Sequence, residues 1–261
     1  ITKTAHANVL SISTKADFYT DTAIVTFDLS GDTTTTGTNV IDLSATTWGS
    51  STAVAITGST GPDTITLGEG VDTVIGGAST GVDTIIVTDR ADLGTTTAVT
   101  DSITTGGGSD ILQINGGVTI PATMDFTTKL SGITSVTTNA STSALSISLH
   151  ADWMTDTSIV TFDLSGDTNS TGGAVLDLSA PTFGSTQAVA ITGTSGSDTI
   201  TLSDGDDTVA GGAGTTIVDT IIVAADADLD LANDDIDPGT GNDILQLNGG
   251  VTLDLASTDP T

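Results

Sequence analysis

The 261-residue chain has no cysteine, two histidines, a single glutamate (Glu69) and only four basic side chains. Without cysteine there is no disulfide framework, no thiolate zinc site and no thiol nucleophile. The two histidines, His6 and His150, do not recur in matching sequence contexts. Zinc or acid–base chemistry would need partners converging on them, so neither is read as catalytic. Aromatic residues make up 3% of the chain, which offers no stacking platform for sugars and gives no support to a paired-carboxylate glycosidase. No enzymatic activity is expected. No run of 18 apolar residues exists to span a membrane as a helix, and no basic-then-apolar leader opens the chain.

Positive charge is almost absent: Lys3, Lys15, Arg90 and Lys129 stand against 33 acidic residues, for a net charge of −29. Such a surface repels phosphate backbones and anionic lipid, which excludes nucleic acid as a partner and favours cations. The acids are almost all aspartate. A solvated helix would use glutamate and lysine in i,i+4 pairs, whereas aspartate belongs in turns, where its short carboxylate bonds local backbone or reaches a hard cation. With 36% apolar residues, a mean hydropathy of +0.21 and an abundance of Thr, Gly, Ser, Val and Ile, the chain reads as a folded, all-β protein.

A duplication organises the sequence. "LSISTKADFYTDTAIVTFDLSGDT" from Leu10 returns 135 residues later as "LSISLHADWMTDTSIVTFDLSGDT" from Leu145. "AVAITG", "DTITL" and "VDTIIV" follow in both copies, and "DILQINGGVTI" meets "DILQLNGGVTL" at an offset of 133. The chain is thus two copies of one module, 1–134 and 135–261, and a window on a longer array is one expectation. Within each copy, apolar pulses of four to seven residues alternate with Gly, Asp and Ser, the pattern of short strands. Units this short and regular favour the coils of a parallel β-solenoid, or β-roll, over a sandwich.

Gly-x-Asp followed by an apolar β-branched pulse occurs at Asp63, Asp72, Asp83 and Asp110, and again at Asp198, Asp207 and Asp243; at Asp219 the glycine is replaced by Ile217. Asp63 and Asp72 stand nine residues apart, as do Asp198 and Asp207. These stretches resemble the RTX, or haemolysin-type, nonapeptide G-G-x-G-x-D-x-U-x, where U is a large apolar residue. The resemblance runs through 60–90 and 195–224 and then touches the isolated turns "GGGSD" and "GTGND". It implies that six residues form a calcium-binding turn and three a strand, with Ca²⁺ held by carbonyls and aspartates at Asp63, Asp72, Asp83, Asp110, Asp198, Asp207, Asp219 and Asp243. The chain departs from the pattern at two turns, where Asp83 comes two residues late and Asp219 three. The nine-residue beat is expected to stack the consecutive turns of Asp63 and Asp72, and of Asp198 and Asp207. Independently of the resemblance, glycine turns let carbonyl oxygens converge on a hard cation that takes six to eight of them.

Tandem copies, acidic Thr/Gly-rich composition and RTX-like turns look like secreted bacterial surface proteins, in particular RTX-containing S-layer proteins and giant adhesins. The resemblance implies export by type I secretion and a place outside the cell or on its surface. The expected function is a calcium-stabilised structural protein whose partner is itself, in a lattice or filament. The alternatives are the calcium-rigidified stalk of an adhesin, or the non-catalytic RTX part of a secreted enzyme.

Overall fold

The computed structural model describes residues 1–3, 8–46, 48–49, 51–77, 80–168, 172–212, 217–230 and 232–252. His6 lies outside them. Copy 1 contributes β1 (Ser11–Ser13), α1 (Phe18–Thr22), β2 (Thr26–Asp28), β3 (Asn39–Asp42), β4 (Ala53–Thr57), β5 (Asp63–Thr66), β6 (Val71–Ile75), β7 (Thr84–Val87), β8 (Ser102–Thr104) and β9 (Asp110–Ile114). Three strands join the copies: β10 (Thr119–Ile120), β11 (Leu130–Ser131) and β12 (Ile133–Thr137). Copy 2 repeats the series as β13 (Ser146–Ser148), α2 (Trp153–Asp156), β14 (Thr161–Asp163), β15 (Val175–Asp177), β16 (Ala188–Thr192), β17 (Thr199–Thr201), β18 (Asp206–Ala210), β19 (Thr220–Val223), β20 (Asp235–Asp237) and β21 (Ile244–Leu247).

Every strand pair is parallel and joins strands of successive coils, which makes the molecule a parallel β-solenoid. One wall is a ten-stranded sheet, β1-β3-β5-β7-β9-β12-β14-β16-β18-β20, and it runs unbroken from one copy into the other. The remaining strands form a five-stranded sheet, β11-β8-β6-β4-β2, and a six-stranded sheet, β10-β13-β15-β17-β19-β21. Equivalent strands of the two copies therefore lie in different sheets: β5 is in the ten-stranded wall, whereas its counterpart β17 is in the six-stranded sheet. The cause is the junction coil, which places β9, β10 and β11 in three different sheets and so shifts the alternation by one strand. A β-bulge between Ile133 and Ser135 marks where β12 re-enters register with β9.

The strands alternate because one face of each turns inward. In β4 and β16, both Ala-Val-Ala-Ile-Thr, the Val and Ile are buried and the Ala exposed. Stacked coils line up these side chains, so Ile41, Ile65, Ile85 and Leu112 form one buried file across β3, β5, β7 and β9. The aromatics are packing residues: Trp48 and Trp153 are buried, each donating its indole N–H to a carbonyl, Leu43 at 3.1 Å and Ile159 at 2.9 Å. Phe126 meets Trp153 edge to face at 5.0 Å.

Many aspartates serve only to close turns. In each Asp-Leu-Ser (Asp28, Asp42, Asp163, Asp177) a carboxylate oxygen accepts the backbone N–H and the hydroxyl of the serine two residues on, at 2.6–3.1 Å. These hydrogen bonds from Ser30 lower the pKa of Asp28.

Ile65→Ala removes atoms from the shared file and is expected to cost about 2–5 kcal/mol, whereas Ile75→Ala, at a side chain 49% exposed, stays within about 0.5 kcal/mol. Denaturant unfolding at saturating Ca²⁺ measures both, and equal losses would contradict the inside–outside assignment.

Candidate metal centre

The turns between strands are built on glycine because carbonyl oxygens of the neighbouring coil fill the space a side chain would need. A Cβ on Gly58 would fall 2.5 Å from Gly76 O and 2.6 Å from Asp63 Oδ2; one on Gly193 would fall 2.4 Å from Gly211 O and 2.5 Å from Asp198 Oδ2. At Gly77, with φ +97°, a Cβ would lie 2.0 Å from Ser59 O, a position closed to L-residues twice over. Glycine thus opens a lane lined with backbone and carboxylate oxygens.

Aspartates stack along that lane as ladders. The amide of Asp63 donates to Asp83 Oδ1 at 2.9 Å, and the amide of Asp83 to Asp110 Oδ1 at 2.8 Å. In copy 2 the same ladder runs from Asp198 to Asp219 to Asp243, at 2.7 and 3.0 Å. A second kind of ladder joins Asp72 to Asp101 Oδ1 at 2.8 Å and Asp207 to Asp234 Oδ1 at 2.8 Å. Asp83, Asp101, Asp110, Asp219, Asp234 and Asp243 each give one oxygen to the backbone of the preceding coil. Asp83 Oδ2, Asp101 Oδ2, Asp110 Oδ2 and both oxygens of Asp72 are buried with no hydrogen-bond partner among the described residues.

Burial without countercharge raises the pKa of these acids. Asp72 is pushed up to about 7; the Gly68 amide faces it and offsets part of the effect without reaching hydrogen-bond geometry. Burial likewise lifts Asp83 to about 7, Asp207 to about 7 and Asp198 to about 6. Asp101 reaches about 8, first through burial and then through repulsion from Asp72. Asp63, Asp219 and Asp234 are also raised by burial; hydrogen bonds from Ser59 work against it at Asp63.

All eight aspartates singled out by the sequence belong to ladders, but the stacking differs from expectation. The nine residues between Asp63 and Asp72 carry the chain from the ten-stranded to the five-stranded sheet, so the two do not stack. The residue above Asp63 is Asp83, 20 positions on, and the residue above Asp72 is Asp101, 29 positions on. Asp198 and Asp207 are separated in the same way. The late Asp83 and Asp219 stay in line all the same, accepting the amides of Asp63 at 2.9 Å and of Asp198 at 2.7 Å. Asp101 and Asp234 escaped the pattern because neither has glycine two residues before it. The available signal was their equivalence at an offset of 133 and the apolar residue two positions later, Ile103 and Ile236.

One ladder end contains its own cation. The ammonium of Lys3, 9% exposed, pairs with the Asp32 carboxylate and donates to Asn39 Oδ1 at 2.7 Å and Asn8 O at 2.8 Å. Asn39 Nδ2 in turn donates to Asp63 Oδ1 at 3.1 Å. Burial works to raise the Asp32 pKa, but hydrogen bonds from Lys3, Thr34 and Asn39 outweigh it and hold it well below the usual range. His150 is half-buried, its Nδ1 3.7 Å from an Asp152 carboxylate oxygen.

The residues fit a hard cation. Among the described residues no three His, Cys, Asp or Glu side chains converge, so a metal here would be held by carboxylates together with backbone carbonyls, an all-oxygen set suited to Ca²⁺. The unpartnered oxygens of Asp72, Asp83, Asp101 and Asp110 and the carbonyls of Ser59 and Gly76 are the donors that point to it. Bound Ca²⁺ would supply the charge that the buried carboxylates lack.

Two outcomes follow from the burial of these acids. Their folded pKa values are raised, so without calcium their contribution to stability is fully present below pH 4 and is lost as pH rises through 6 to 8. In chelator the melting temperature should fall between pH 5 and pH 8; with saturating Ca²⁺, which needs the ionised form, that fall should vanish or reverse. An apo melting temperature that climbs over this range would refute the ladder electrostatics. Asp101→Asn keeps an oxygen for the Asp72 amide but removes charge. It should raise the apo melting temperature at pH 8 and weaken calcium binding by about tenfold or more, read by thermal unfolding and calorimetry.

A family model, the RTX calcium-binding nonapeptide repeat (four copies), matches residues 55–82 and 190–218, corresponding stretches of the two copies. The chain therefore carries RTX calcium-binding repeats, and the structure extends their ladders beyond the matched segments to Asp83, Asp101, Asp110, Asp219, Asp234 and Asp243. No curated protein and no solved structure matches the chain.

Proposed function

We propose that this chain is a calcium-stabilised, non-enzymatic structural protein of the bacterial cell surface that associates with copies of itself in an S-layer or extracellular filament. The observation that carries the reading is the stacking of buried, unpartnered carboxylates across successive coils, which leaves the fold short of positive charge. The eight aspartates of the sequence motif, with Asp101 and Asp234, hold the ions. Calcium at extracellular, millimolar levels would fill such sites, so the chain would remain loosely folded in a calcium-poor interior and become rigid outside. The coils are filled by Ile, Leu and Val packed against one another, which favours a structural rod over a catalytic cleft.

A second reading, the stalk of an adhesin, is favoured by the ten-stranded wall that makes both copies one continuous rod. Electron microscopy with and without Ca²⁺ separates the readings: ordered sheets or fibres support the lattice or filament, isolated rods the stalk. Chelation is expected to disperse any assembly and reduce the β-sheet circular dichroism. Addition of 1 M NaCl, which shortens the Debye length to about 3 Å but supplies no oxygen-coordinated divalent ion, should restore neither. A chelated protein that keeps its β spectrum and assembles in NaCl alone would overturn the calcium reading.

A further inference from the structure

Of the three lysines only Lys3 is buried, and its ammonium is pressed between a carboxylate and a side-chain amide. The Lys3 N–H donates to Asp28 O at 2.8 Å, which lays this segment on the coil that turns at Asp32. Nζ spends its three donors on Asp32 Oδ2, on Asn39 Oδ1 at 2.7 Å and on Asn8 O at 2.8 Å. Asn39, the first residue of β3, is fixed at both polar atoms of its side chain. Its Oδ1 also accepts the Leu10 N–H at 3.0 Å, and its Nδ2 faces Ser59 Oγ and Asp63 Oδ1, both at 3.1 Å, and Asp32 Oδ2 at 3.3 Å. Asp32, Asn39 and Asp63 are all buried.

These groups carry complementary roles. Nζ is a nucleophile once it loses a proton, and Asp32 Oδ2, in contact with both Nζ and Nδ2, can carry protons between them. The Leu10 N–H lies on the oxygen where negative charge would develop if the Asn39 amide were attacked. Burial works against the charge of Asp32, but hydrogen bonds from Lys3, Thr34 and Asn39 keep it ionised, and an ionised carboxylate is a poor electrophile. The amide carbon of Asn39 is therefore the group open to attack. The duplication separates the reacting pair from its surroundings: at an offset of 135, Asp32 and Asp63 return as Asp167 and Asp198, whereas Lys3 and Asn39 are replaced together by Thr138 and Ala174.

We propose that Lys3 and Asn39 become joined by an intramolecular isopeptide bond, which the folded chain forms by itself with release of ammonia. Nζ gives one proton to Asp32 Oδ2 and attacks Cγ of Asn39, forming the Nζ–Cγ bond, while the oxyanion faces the Leu10 N–H. Asp32 passes that proton to Nδ2 and takes a second from Nζ; the Cγ–Nδ2 bond breaks and ammonia leaves. One proton stays on Asp32, so a buried ammonium and carboxylate become a neutral amide and a neutral acid, an exchange that burial favours. Aminolysis of an amide is slow in water, but groups held in contact react as if at about 10⁵–10⁸ M. The charge of Asp32 is answered from within the chain in either state, by the ammonium before the reaction and by the retained proton after it. The bond would tie residues 36 positions apart across neighbouring coils, and it depends on neither the calcium nor the self-assembly reading.

Mass spectrometry tests this on the chain folded in Ca²⁺ and then denatured. The intact mass should be lower than that of the sequence by one ammonia. Trypsin should leave the bond after Lys3 uncut, and the peptide ending at Lys15 should emerge joined to peptide 16–90 through Lys3 and Asn39. Lys3→Arg keeps the charge but cannot form the bond, and it should restore the full mass and separate the two peptides. Asp32→Asn keeps the shape of the side chain but removes the proton carrier, and it should leave Lys3 and Asn39 unlinked. A wild-type chain of full mass that trypsin cuts after Lys3 would overturn the proposal. So would a loss of ammonia that persists in Lys3→Arg, since it would arise at another residue, and a link that forms undiminished in Asp32→Asn would overturn the route through Asp32.

Discussion

The structure depends on a row of carboxylates, eight of them buried: Asp63, Asp72, Asp83, Asp101, Asp110, Asp198, Asp207 and Asp219. Asp83, Asp101, Asp110, Asp219, Asp234 and Asp243 each use one oxygen to accept the amide of the aspartate one coil before, and that bond fixes the register from coil to coil. The other oxygen has no protein donor at Asp83, Asp101 and Asp110. The same residue therefore sets the geometry of the solenoid and creates its electrostatic debt. A buried carboxylate is tolerable when protonated or when neutralised by a cation, and an uncompensated ladder favours neither folding nor stacking at neutral pH.

The other features are arranged around that row. Glycine stands at 58, 76, 77, 193, 211 and 212 because a Cβ there would strike a carbonyl or carboxylate oxygen. Short strands suffice because each strand inside a sheet is paired on both sides and buries only one or two apolar side chains. The Asp-Leu-Ser turns show the contrasting use of aspartate: exposed and locally bonded to serine, with a pKa lowered at Asp28, where the ladder acids are raised. Position relative to the lane, rather than residue type, decides which role an aspartate has.

Much of this was legible in the sequence. The duplication, the short strands, the parallel solenoid and eight ladder aspartates are local signals, written in spacing and glycine placement. What the sequence concealed was the pitch. A nine-residue motif describes half a coil, so adjacent motifs such as those of Asp63 and Asp72 face opposite walls, and the stacked neighbour lies 20 or 29 residues on, depending on intervening loop length. Asp101 and Asp234 were hidden because their loops reach the lane without a glycine at the usual place. The exchange of sheets between copies was hidden for a related reason: it arises from one extra strand in the junction coil, and a strand of two residues such as β10 or β11 leaves little periodic trace.

Lys3 shows how the same electrostatic problem is solved without metal. Its ammonium and the Asn39 amide place positive charge and donors against Asp32 and Asp63 at the N-terminal end of the ladder. Copy 2 has Thr138 and Ala174 at the corresponding positions, and there Asp198 takes its hydrogen bonds from the backbone of Ala174 and from Thr194 instead. A tethered ammonium is always present, whereas a bound ion comes and goes with its concentration. The first coil is thereby neutralised from within. The carboxylates further along the ladder, Asp83 and Asp110, have no such lysine, and under the calcium reading proposed above they would draw on a cation from solution. On that reading calcium sensitivity would be distributed along the rod, least where Lys3 lies and greatest where acidic side chains meet only one another.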